Sequence, residues 1–152
     1  MVERGVYQNA NRGRQLLRFD DFRYGNITPT DIDAVIDYKN YVWVFFEAKL
    51  KDKDVPFGQK LALERLIQNA FGSKKHGIAM IVEHDEEDAA KDIILKNCMV
   101  REIYTTENMK WRPSNYDITA KDMSDAYINY HVNCANHRNN HNRRNWVGDL
   151  NG

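Results

Sequence analysis

The chain has 152 residues, 22 basic and 22 acidic side chains, a formal net charge of zero, 42% hydrophobic and 29% charged residues. Such a length and composition fit one globular domain with a core of its own. The balanced charge argues against a protein that coats nucleic acid through bulk electrostatics, so any nucleic-acid site has to be a local patch. Two cysteines, Cys98 and Cys134, are too few for a disulfide framework and fit a reducing compartment. The N-terminus is polar and no apolar run approaches the ~20 residues of a membrane span, so a cytoplasmic protein with no membrane partner is expected.

Residues 7–18, "YQNANRGRQLLR", have helix-compatible spacing, with Leu16 and Leu17 on the apolar side and Arg12, Arg14 and Arg18 around them. "FDDFRYGNI" (19–27) predicts a short first strand that ends before Thr28-Pro29. Residues 31–38 and 41–49 alternate as strands do, with Lys39-Asn40 as the turn region. After the polar loop "KDKDVPFG", residues 58–71 place Leu61, Leu63, Leu66, Ile67 and Ala70 at helical spacing, and Gly72 marks a stop. "HGIAMIVEH" (76–84) reads as a buried strand, "DEEDAAKDIILK" (85–96) as an acidic helical stretch and "MVREIYTT" (99–106) as a further strand. A last helix opens at Thr119 and runs to 133. Residues 1–135 thus predict a single α/β domain, with a central mixed sheet flanked by helices. Residues 136–152 predict a polar, Asn- and Arg-rich, loosely ordered tail.

The two strands in the middle carry the information. Alternate residues of a strand share a face. The even positions Ile32, Ala34, Ile36, Tyr38, Val42, Val44, Phe46 and Ala48 are all apolar or aromatic, whereas the odd positions include Asp31, Asp33, Asp37, Glu47 and Lys49. In an antiparallel hairpin the two even sets face one core only if paired numbers sum to an even value. Pairing Tyr38 with Val42 meets that condition and demands a three-residue connection or a bulge. Asp33 then lies opposite Glu47, and Asp33, Glu47 and Lys49 share one face.

Two carboxylates at that distance repel unless a cation lies between them, and hard oxygen ligands suit Mg²⁺ or Mn²⁺. A dication held there activates water and offsets charge on a phosphorus centre. Lys49 is placed to steer or deprotonate the attacking water or to stabilise the transition state. Phosphodiester hydrolysis is the chemistry that this set suggests.

Thr30-Asp31-Ile32-Asp33, some fourteen residues before Glu47-Ala48-Lys49, resembles the motif of the PD-(D/E)xK nuclease superfamily, which includes restriction enzymes, Holliday-junction resolvases and RecB-type domains. The resemblance covers about residues 7 to 84. It implies a restriction-endonuclease-like core of helix, three strands, helix and strand. It further implies Asp33 and Glu47 as ligands of Mg²⁺ (or Mn²⁺), with Asp31 competing for the ligand role, Lys49 assisting catalysis, and Gln59 at the start of the next helix as a fourth catalytic residue. The expected function is Mg²⁺-dependent cleavage of DNA, with structure-selective endonuclease action as one form and a homodimer as a compatible assembly. "TDID" replaces the literal Pro-Asp, and residues 7–18 lack the Glu that many members carry in their first helix. The alternative is a catalytically inactive nuclease fold that binds nucleic acid or a protein partner, and RNA is a third option for the substrate.

Arg12, Arg14 and Lys60 are the candidate phosphate contacts. His131, Cys134, His137 and His141 are zinc-type residues, but on one continuous helix His131 and His141 are about 15 Å apart. Two of them with Cys98 or another distant residue could share an ion; all four could not. Arg138, Arg143 and Arg144 suggest a phosphate-contacting arm, and the acidic run from Glu83 to Asp88 would turn DNA away.

Overall fold

A computed structural model describes residues 16–115 and 117–148, with side chains as far as 138. The chain divides into two compact units, residues 1–30 and 31–152. In the first, residues 16–18 are not helical, and the rest of the expected first helix, with Arg12 and Arg14, lies outside the described residues. The strand expected at 19–27 does not join the sheet. Tyr24 and Ile27 instead exchange backbone hydrogen bonds (2.9 and 3.1 Å) across a turn at Gly25, whose φ of 64° suits glycine. A bridge of one residue pair nucleates no ladder, so the three-strand opening of the expected core is reduced here to two strands.

The second unit is α/β. It comprises β1 (Ala34–Tyr38), β2 (Val42–Leu50), α1 (Phe57–Gly72), β3 (His76–His84), a 3₁₀ turn (Leu95–Asn97), β4 (Met99–Thr105), β5 (Arg112–Pro113) and α2 (Ala120–Gly148). The five strands form one mixed sheet in the order β1-β2-β3-β4-β5. Only the β2–β3 pair is parallel, with α1 as its crossover; the other three pairs are antiparallel.

The hairpin register follows the parity argument: Tyr38 pairs with Val42 and Ala34 with Phe46. Lys39 and Asn40 both have positive φ (55° and 52°), the twist of a type I′ turn, and Tyr41 is the extra residue. The Asp37 carboxylate accepts from Asn40 N–H (2.6 Å), and Tyr41 N–H donates to the Tyr38 carbonyl (3.0 Å).

Both faces of β2 are buried. Val42, Val44 and Phe46 join Ile78, Met80 and Val82 in a core closed by Ala120, Met123, Tyr127 and Ile128 around α2. On the opposite face Phe45 and Ala79 pack with Leu63, Ile67 and Tyr104, with Trp43 and Ile32 at the margin. The odd positions are therefore not simply a polar face. They lie beneath α1, because strands of a parallel pair are covered on both sides. Leu63 and Ile67, 2% and 0% exposed, each contribute about 1.5–3 kcal/mol through this burial. Gly77 permits the approach: a Cβ on it would meet Ile67 Cδ1 at 2.9 Å and Ala70 Cβ at 3.4 Å.

Two further expectations change. Residues 85–94 are irregular, with a turn at 89–90, rather than helical, and only Leu95–Asn97 is helical, as 3₁₀. Local acceptors compete with helix there: Glu86 N–H donates to His84 Nδ1 (3.3 Å), Asp88 N–H to Glu86 Oε1 (3.0 Å) and Ala90 N–H to Asp88 Oδ1 (3.0 Å). The last helix opens as expected, with Thr119 Oγ1 capping Asp122 N–H at 3.2 Å. It continues to Gly148, so most of the expected tail is helical. Among the described residues no helix is long and apolar enough to cross a membrane.

Candidate active site

The end of β2 and the start of α1 bring the candidate residues together. β1 begins at Ala34, and Asp33 lies one residue before the ladder. Its Oδ2 accepts the N–H of Ala48 at 2.7 Å, so the side chain takes over an acceptor role that a longer β1 backbone would have filled. That bond ties the Asp33 carboxylate to the residue between Glu47 and Lys49.

Glu47 is only 2% exposed, yet it is ionisable and lies at the end of an apolar strand. Lys49 Nζ stands 2.6 Å from its Oε1. Burial pushes the Glu47 carboxyl above its ordinary range; Lys49 pulls it down, and the nearby charges of Asp33 and then Asp31 push it up again. The net direction is upward, so one ammonium does not offset desolvation and two neighbouring carboxylates.

Gln59 sits in the first turn of α1, and its Nε2 reaches Asp31 Oδ1 at 3.5 Å, the long limit of a hydrogen bond. The Gln59 Oε1 is buried and has no hydrogen-bond partner among the described residues. Asp31, Asp33, Glu47, Lys49 and Gln59 thus occupy one neighbourhood, drawn from the approach to β1, the end of β2 and the start of α1. Three neighbouring carboxylates with one ammonium, beside an unpartnered buried amide oxygen, form a donor set that suits a hard dication and its waters.

No family model, curated protein or solved structure matches this chain. The geometry and chemistry of the site are therefore what a functional reading rests on.

Lys60 faces other partners. Its Nζ lies 3.0 and 2.9 Å from the two carboxylate oxygens of Glu102 and 5.2 Å from the centre of the Trp111 ring. Glu64, which helical spacing alone places on the surface, accepts from the Trp111 indole N–H at 2.8 Å. Both residues belong to a polar seam between α1 and the β4–β5 edge.

Among the described residues, no two of the zinc-type residues His131, Cys134 and His137 share a candidate ligand cluster. Cys98 is 3% exposed with its Sγ 3.7 Å from the Ile94 carbonyl. His131 is also buried, but its neighbours are His76 on β3 and Glu107 after β4. Neither of those two carried a sequence signal, because a lone His at the start of a strand and a lone Glu in a turn are ordinary residues. Arg138 is exposed, and the side chains of His141, Arg143 and Arg144 lie outside the described residues.

Proposed function

We propose that the protein is a Mg²⁺- or Mn²⁺-dependent nuclease that hydrolyses DNA phosphodiester bonds on a restriction-endonuclease-like core. The observation that carries the reading is Glu47, buried at the end of β2 with Lys49 at 2.6 Å and with Asp33 fixed to the intervening Ala48 N–H. Burying a carboxylate beside two others costs stability, and a fold retains such an arrangement where a function uses it.

Asp33 and Glu47 are the residues that would hold the dication, with Asp31 close enough to share the role. When bound, the ion supplies Lewis acidity at a phosphoryl oxygen and offsets the charge that grows there. Lys49 positions the attacking water and presents its ammonium to the developing negative charge. The unpartnered Gln59 Oε1 is an acceptor for one proton of that water, which fixes its orientation. Glu47 keeps Lys49 in place through their ion pair.

Supercoiled, linear, branched and single-stranded DNA, incubated with the protein in Mg²⁺ or in EDTA, test this directly. Cutting that needs the metal, selects among these DNA forms and falls by about 10²–10³ in Lys49→Ala is expected. Shape-selective binding without cutting, in wild type as well as in the variant, would instead make the protein a binding module on the same fold. Cutting that survives combined loss of Asp33 and Glu47 would assign the activity elsewhere.

A further inference from the structure

We propose that His76, Glu107 and His131 form a second metal site, selective for a borderline transition-metal dication of the zinc class. Their ligand atoms all lie within 4.8 Å of one another. Glu107 Oε1 is 3.1 Å from His131 Nε2 and 3.5 Å from His76 Nδ1. Ligands about 2.0–2.1 Å from a tetrahedral zinc are separated by about 3.3 Å, so both spacings match one shared ion.

A second observation points the same way. His131 is 4% exposed, and although its Nε2 is at ion-pair distance from Glu107, it makes no hydrogen bond with any described residue. A buried ring nitrogen that lies near a carboxylate without bonding to it needs another partner. The His76 and His131 rings stack with centroids 3.7 Å apart and 20° between planes, so an ion bonded through the in-plane lone pairs of both requires one ring to turn on binding.

The carboxylate is supported as a metal ligand usually is. Thr106 Oγ1 donates to Glu107 Oε1 at 3.0 Å, and the Tyr127 hydroxyl lies 3.1 and 3.0 Å from its two oxygens. The single Tyr127 proton is also within reach of the Gly77 carbonyl at 2.9 Å. An ion bonded to Oε1 would give the His131 ring nitrogen the partner it lacks.

Two imidazoles and one carboxylate favour zinc, cobalt or nickel over magnesium. Three protein ligands leave at least one position for water or an exogenous ligand. The three residues come from the start of β3, the turn after β4 and the first half of α2, so the ion would fasten the long helix to the sheet. His76 pairs with Val42 at one end of the parallel strands, whereas Lys49 pairs with Glu83 near the other. Seven strand residues separate these rows, roughly 23 Å, so the two sites bind independently.

The test uses the untagged full chain, stripped with EDTA and dialysed, then titrated with Zn²⁺ by calorimetry and with Co²⁺ by visible absorption. One equivalent of Zn²⁺, a higher melting temperature with zinc, and a Co²⁺ spectrum of low coordination number are expected. His76→Gln, at a partly exposed position, and His131→Gln should both lose that equivalent while keeping a native circular-dichroism spectrum in EDTA. Tyr127→Phe should weaken zinc about 10–100-fold. Cys134→Ser/His137→Asn and Glu47→Gln should retain it, which separates this site from the one at Asp33 and Glu47. Absence of a stoichiometric zinc in the wild type overturns the proposal. So does zinc bound with undiminished affinity by His76→Gln, a variant that stands even if His131→Gln does not fold.

Discussion

Glu47 and Lys49 leave β2 two residues apart on the same side and meet at 2.6 Å in a site where the carboxylate is almost wholly removed from water. An ion pair between neighbours of one strand face is unremarkable at a surface, where it is worth about 0–1 kcal/mol. Here one partner is buried and two more carboxylates lie nearby, so the pair does not balance the local charge.

That imbalance predicts how the metal-free protein responds to pH. The folded-state pKa of Glu47 is raised above the ~4.3 of the unfolded chain. Its contribution to stability is therefore fully present below that unfolded value and is lost as pH rises through the folded pKa. Glu47→Gln removes the cost of a buried charge while keeping an oxygen for Lys49. In EDTA at pH 7.5 it should raise stability by about 1 kcal/mol, or roughly 2–4 °C in Tm, and in Mg²⁺ it should abolish cutting. Thermal melts at pH 4 and 7.5 check this, since the gain should vanish at the lower pH.

Divalent ions should reverse the order. Mg²⁺ or Mn²⁺ at 100 times its Kd stabilises a competent site by about 2.7 kcal/mol. The wild type should gain this and Glu47→Gln should gain little, as melting temperatures over a Mn²⁺ series would show.

Asp33 has two separable roles, an acceptor for Ala48 N–H and a charge beside Glu47. Asp33→Asn can keep the first and loses the second. It should fold with near wild-type stability but lose Mn²⁺ binding by calorimetry. Asp33→Ala loses both and should cost about 0.5–1.5 kcal/mol in urea denaturation. Asp31→Asn makes the matching test of the other acid, which accepts from Gln59 at the long limit of a hydrogen bond.

The contact of α1 with the sheet depends on Gly77. Gly77→Ala places a methyl 2.9 Å from Ile67 Cδ1, and overpacking of this kind costs about 1–3 kcal/mol. Urea midpoints should fall accordingly. Ile67→Val, which frees a methyl's space in the same contact, should offset part of the loss in the double variant.

The two thiols should differ in reactivity. Burial pushes the Cys98 thiol up and shields it, while Cys134 is only half-buried. A thiol-exchange reagent at pH 7.5 should label one cysteine quickly in the native protein and both after denaturation, and Cys134→Ser should remove the fast phase.

Residues 30–50 and 58–71 determined a good deal alone. Side-chain period and the demand for one apolar face specify the Tyr38–Val42 pairing, and with it the convergence of Asp33 on the Glu47–Lys49 segment, because strand parity is local and admits few registers. Gln59 joins them because a short loop leads straight into α1. Other features were decided only by tertiary structure. Trp43 and Phe45 look like the outer face of a hairpin until α1 covers them, since burial on a second side depends on a crossover rather than on the strand. Residues 19–27 are strand-like in composition, but a strand persists only if a partner edge accepts it, and Tyr24 finds Ile27 instead. His76, Glu107 and His131 meet because strand ends and a long helix are brought to one place, a coincidence of long-range packing that no periodicity in the chain encodes.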